Sequence, residues 1–139
     1  MSSKAVRDAF RTKLAAIAPG AVPFKDSVNT ARQDDANTPY ITADFAGGSE
    51  IRLSTGDPGN DWWKETGTVL VVARVPRGNG LGGTTDPEVA LTTVGDALRG
   101  ATLSGTVRVL ETDPIDTSGS DDTHFRAVLP VRYVYYRRG

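Results

Sequence analysis

A chain of 139 residues is sized for one domain, spanning 1–139: long enough to bury a core and short for a two-domain enzyme. Sixteen basic and seventeen acidic side chains leave a formal net charge of −1, which argues against a general nucleic-acid binder. With no cysteine and one histidine, His124, disulfides, thiolate zinc sites and multi-histidine metal sites are excluded.

The N-terminal MSSKAVRDAF is polar and helical in pattern, with no apolar signal core, and no run approaches the roughly 20 apolar residues of a membrane span. The expectation is a soluble product of a reducing cytoplasm whose chemistry rests on carboxylates, hydroxyls, arginines or shape. Ser2 or Ser3 is placed to cap a helix with Val6, Phe10, Leu14 and Ile17 at helical spacing, stopped by Ala18-Pro19-Gly20. Residues 20–38 read as an irregular crossing segment. PYITADF (39–45) and SEIRLST (49–55) read as two short strands, with Gly47-Gly48 as the turn of a hairpin between them.

GDPGNDWW (56–63) is loop-like, with Asp-Pro-Gly as turn chemistry. TGTVLVVARV (66–75) has apolar residues on both faces: Val69, Val71, Ala73 and Val75 on one, Leu70 and Val72 on the other. That pattern predicts a central strand. A second helix is punctuated by Asp86 as cap, Pro87 at the first position and Glu88 in the first turn, with Ala90, Leu91, Val94 and Leu98 as its buried stripe and Gly100 as its stop. TVRVLE (106–111) is another strand. In the last one Phe125, Ala127, Leu129, Val131, Tyr133 and Tyr135 share a face, and Pro130 suggests an edge position or a bulge. The predicted architecture is α+β: one mostly antiparallel sheet with two helices on one face.

Gly78, Gly80 and Gly83 stand in the spacing G-x-G-x-x-G between a valine strand and a helix. In a dinucleotide fold the helix opens at the glycines and its free N–H groups meet the pyrophosphate. Here the helix begins at Asp86-Pro87, so a carboxylate takes the place of phosphate and proline removes a donor. The acid ending the next strand, Glu111, lies 28 residues past Gly83, where the fingerprint asks for about 20. No cofactor is expected, and the loop, with Arg77, Asn79 and Leu81 along it, reads as a connection able to order against a neighbouring molecule.

Adjacent Trp62 and Trp63 should face opposite ways, one inward and one outward, and read either as a core residue beside a partly exposed one or as an aromatic anchor at a subunit interface. The acidic loop 112–123 carries Asp113, Asp116, Asp121 and Asp122 without the calcium-loop pattern, so no metal is expected; it reads as solvated turns or as a negative surface beside passing DNA. RYVYYRRG interleaves Arg and Tyr as a single-strand nucleic-acid platform does, but strict strand alternation accounts for it. No nucleophile elbow and no paired carboxylates are present, so no catalytic residue is assigned.

The succession of amphipathic helix, crossing segment, PYITADF, the STGDPG loop, the valine strand TGTVLVVARVPRGNGLG, second helix and final strand pair resembles the tail terminator proteins of long-tailed bacteriophages. The resemblance spans nearly the whole chain as order and character. It is strongest at Pro39-Tyr40, Thr55-Gly56 and the strand ending at Pro76 with Gly78 and Gly80; the acidic loop and the Trp pair are outside it. It implies a non-enzymatic virion protein at the tail–neck junction: a hexameric ring that caps the tail tube, ends its polymerisation and joins a neck or head-completion connector protein. On that reading Trp62, Trp63, Arg77, Asn79 and Leu81 are candidates for the neighbour or tail-tube contact. Asp116, Asp121 and Asp122 are candidates for a lumen through which genomic DNA passes without specific binding, and no membrane is involved. The alternatives are another neck component, such as a head-completion or tail-completion protein, and a small nucleotide-binding enzyme.

Overall fold

The structure is a computed structural model and describes residues 3–18, 22–25, 39–76, 87–103, 107–118 and 124–138. The glycine loop at 78–83 and the helix cap at Asp86 lie outside these residues.

Helix α1 (Lys4–Ile17) starts where the Ser3 hydroxyl accepts from the Val6 amide at 3.5 Å, satisfying one of the donors a helix start leaves open. It buries Val6, Ala9, Phe10 and Leu14, and it ends at Ala18, whose extended backbone is what a following proline imposes. Strand β1 (Tyr40–Arg52), strand β2 (Trp62–Pro76), helix α2 (Pro87–Leu98), strand β3 (Val107–Thr112) and strand β4 (His124–Arg138) follow. The sheet order is β1-β2-β4-β3 with every neighbouring pair antiparallel; a parallel bridge from Phe24 to Ile41 adds to the β1 edge. An α+β fold with one mostly antiparallel sheet is therefore present.

The long β2–β4 ladder runs unbroken from Trp62↔Arg138 to Pro76↔His124 and is the spine of the molecule. One face of it carries Val69, Val71, Ala73, Ala127, Leu129, Val131 and Tyr133. Both helices pack there, through Val6, Phe10 and Leu14 of α1 and through Ala90, Leu91, Val94 and Leu98 of α2, in one core cluster. The alternation anticipated for 66–75 holds, and β2 is central as expected. Val72 and Val128 are also buried, on the opposite face, which explains why β2 reads as apolar on both sides. Gly100, at φ +67, closes α2 in the left-handed conformation that suits glycine.

Two expectations are corrected. The hairpin at 39–55 does not form: residues 40–52 make one strand, with a register shift between Phe45 and Gly47 where a hairpin turn was expected. Gly47-Gly48 serves a bulge and a close approach. A Cβ on Gly67, opposite Gly48, would lie 2.4 Å from the Gly47 carbonyl oxygen, and the Tyr133 ring covers the pair with its hydroxyl 2.7 Å from that same point. Pro130 does not mark an edge strand, because β4 lies between β2 and β3. Its carbonyl accepts from the Asp113 amide, so its missing N–H points to that side, where the named β3 ladder has ended at Thr112↔Val131. No bond to β2 is lost.

Candidate assembly interface

The end of the sheet where β1 finishes and β2 begins is organised by a buried acid. Asp61 accepts from the Ser54 hydroxyl and the Asp57 amide, both at 3.4 Å, and its carboxylate stands 3.5 Å from Arg52. Ser54 in turn accepts from the Trp62 amide at 2.8 Å, and the Leu53 amide donates to the Trp62 carbonyl at 2.8 Å. Gly56 and Gly59 have φ of +98 and +90, which lets so short a connection reverse the chain. This loop fixes the direction in which the two tryptophans leave it.

They leave it on opposite faces. Cross-strand register sets Trp63 between Arg52 and Arg137 on the helix side, with the two guanidinium carbons 5.4 and 5.6 Å from the ring centroid. Arg137 also pairs with Glu50, so that row is charge-compensated. Trp62 lies opposite Arg138, whose guanidinium carbon is 5.0 Å from its ring. Each such stack contributes about 0.5–1 kcal/mol at an exposed site. Around Trp62, 41% exposed, are Ile51 at 54%, Leu53 at 50% and the half-buried Tyr136.

The electrostatics of the two faces differ at this end. Glu50 and Glu65 lie in the helix-side rows, and Asp61 is enclosed by its loop. On the open side Lys64 neighbours Ile51 and Tyr136, and Arg108 neighbours Val134. Among the described residues Lys64, Arg108 and Arg138 form no salt bridge. The result is a patch of Trp62, Ile51, Leu53 and Tyr136 with Lys64 within it and Arg138 at its end, and with Arg108 one row further along the sheet.

No protein-family model matches the chain, and no curated protein matches it.

Of the expected contact residues, Trp62 and Trp63 are therefore placed together but on opposite sides, while Arg77, Asn79 and Leu81 lie outside the described residues. Of the expected lumen acids, Asp121 and Asp122 also lie outside them. Asp116 is exposed and exchanges both backbone bonds with Val128, pinning it beside β4. Its carboxylate accepts from the Ser118 amide at 2.9 Å, which holds its pKa below the usual aspartate range. Glu111 and Asp113, nearer β4's midpoint, share Arg132 at 2.8 and 3.3 Å. Among the described residues no group of three or more His, Asp or Glu could hold a metal ion, and no helix is long and apolar enough to cross a membrane.

Sequence reasoning missed Ile51, Leu53, Lys64 and Arg138 as companions of Trp62 on the open face. Ile51 and Leu53 were assigned to the second strand of a hairpin, where strand alternation alone does not tell which face they share with Trp62.

Proposed function

We propose that this chain is a ring-forming structural subunit of a long-tailed bacteriophage, a tail-terminator-like protein that caps the tail tube and joins it to the neck. The observation that carries the reading is the open sheet end, where Trp62, Ile51 and Leu53 stand exposed together beside Lys64 and Arg138, neither of which forms a salt bridge among the described residues. Exposed large apolar side chains clustered together mark a protein contact, and tryptophan and arginine are the side chains that dominate such contacts. The order of elements around one antiparallel sheet supports the same reading, since it agrees with what the family resemblance implies. In a closed ring each subunit offers one surface to the neighbour on its left and a different one to the right, so a single patch of this kind suffices for one half of the contact.

The test is particle mass by light scattering across concentration and salt, with negative-stain images of each peak. A closed ring, near six copies, that blocks extension of purified tail-tube protein is the expected result. A ring that binds a head connector and leaves tube growth unaffected would assign the chain to another neck component. A monomer that neither associates nor caps tubes would overturn the proposal.

A further inference from the structure

We infer that the Trp62 patch seats the exposed face of helix α2 of a second copy of this chain. This rests on the ring reading and names the two surfaces that would meet in it. Helix α2 turns Ala90, Leu91, Val94 and Leu98 to the core and leaves Glu88, Val89, Thr92, Thr93, Asp96 and Ala97 exposed. Val89 is 49% exposed, one of the few large apolar side chains so open among the described residues. Thr92 and Thr93 donate their hydroxyls to the Glu88 and Val89 carbonyls at 2.8 and 3.2 Å, which turns the polar atoms back onto the helix. The charges on this face are the acids Glu88 and Asp96; Asp96 makes an exposed pair at 2.8 Å with Arg99, just past the helix end. Such a pair is weak and easily exchanged for another partner.

The two surfaces are complementary in kind. One is apolar and aromatic with Lys64 within it and Arg138 stacked on Trp62, neither in a salt bridge among the described residues; the other is aliphatic and small with acids. They also lie on opposite sides of the molecule, since α2 packs on the core face of the sheet and Trp62, Lys64 and Arg138 occupy the other face. Neither can reach the other within one chain. Pairing between copies is then head-to-tail, the heterologous geometry that closes into a ring when the rotation allows. An acidic surface of a different protein, or nucleic acid on the cations, would make a different use of the patch; the aliphatic Ile51 and Leu53 favour protein, and Val89 with the acids of α2 supplies its match on this same chain.

The experiment uses two charge-reversed full-length chains. One carries Lys64→Glu and Arg138→Glu, giving an acidic patch and an acidic helix. The other carries Glu88→Lys and Asp96→Lys, giving a basic patch and a basic helix. Each alone is expected to fall to the mass of a single chain, and the equimolar mixture to recover the wild-type particle mass with the two alternating. Circular dichroism on each establishes that the fold persists. In parallel, the cysteine-free background allows Leu53→Cys with Val89→Cys to be treated with a short bis-maleimide. The double variant should give a ladder beyond dimer, and each single variant dimer at most. A folded charge variant that keeps the wild-type mass alone, or a mixture that fails to recover it, would overturn this seating. If the wild type assembles without ladder or rescue, only this pairing falls and the ring reading stands. If it neither assembles nor ladders, this pairing falls, and the ring reading falls with it when tail tubes are left uncapped as well.

Discussion

The Tyr133 hydroxyl donates to Glu65 Oε2 at 2.6 Å in a buried contact that joins the two longest strands, and the same oxygen accepts from the Ser3 amide at 3.3 Å. Glu65 thus sits at the positive end of α1 and ties that helix to the sheet. We predict that Tyr133→Phe destabilises the fold by about 1.5–3 kcal/mol, the range for losing a hydrogen bond to a buried charge. Urea unfolding measures it. Adding Glu65→Leu to Tyr133→Phe should recover part of that loss, because no buried carboxyl is then left without its Tyr133 donor, although the Ser3 amide loses its acceptor; a double variant worse than the sum of the two singles would refute the account.

Gly67 and Gly48 face each other beneath the Tyr133 ring. A Cβ on Gly67 meets backbone at 2.4 and 2.9 Å, whereas on Gly48 its nearest contact is the Tyr133 hydroxyl at 2.8 Å, with the Thr66 carbonyl at 3.0 Å. Gly67→Ala should therefore cost more than Gly48→Ala, at or above about 3 kcal/mol, the upper part of the usual range for overpacking. Equal melting temperatures for the two variants would show that β1 moves aside freely.

Asp61 contacts Ser54 and Asp57 in its own loop and Arg52 at the end of β1. Asp61→Ala leaves the Asp57 amide and the Arg52 guanidinium without it, for an expected loss of about 1–3 kcal/mol and a shift in tryptophan emission as Trp62 and Trp63 lose their fixed exit. Asp61→Asn retains an acceptor and should shift both less.

Acid acts on Asp116 with a defined sign. The Ser118 amide favours its charged form, so its folded pKa lies below its unfolded one. A depressed carboxyl contributes stability that is present above the unfolded pKa and lost as pH falls through the folded value, hence below about pH 4. Carboxyl NMR should show Asp116 titrating below the usual aspartate range. Ser118→Pro, which removes the amide hydrogen, should move the Asp116 titration upward.

Trp62 and Trp63 should separate in their effects. Trp62→Ala removes an exposed ring and is expected to change monomer stability by less than about 1 kcal/mol while abolishing assembly. Trp63→Ala opens the Arg52–Arg137 stack and should lower stability first. Denaturation paired with light scattering reads both at once.

Much of this architecture is legible in residue order. The apolar spacing of Val6, Phe10 and Leu14, the Pro87 start and Gly100 stop of α2, and the alternation through β2 and β4 all depend on neighbours a few positions away. The contacts of the candidate interface do not. Arg52, Trp63 and Arg137 come together through the register of three strands, and Glu65 gains its partners from α1 and β4, distant in sequence. The glycine pair at 47–48 is ambiguous in sequence for a related reason: turns and bulges favour the same residue, and only the presence of β2 alongside decides between them.

The bulge in β1 also sets how this strand tolerates changes of length. Phe45 pairs with Val69 and Gly47 with Thr68, so Ala46 is supernumerary to the ladder. Deleting Ala46 would make the pairing regular and keep Ile41 and Ala43 toward the helices and Ile51 away from them. Deleting a residue elsewhere in β1 would turn every side chain on one side of the cut to the wrong face unless the bulge migrated to absorb it. In descendants of this chain, single-residue gaps in β1 should accordingly collect at position 46, and insertions should be rare along the rest of the strand.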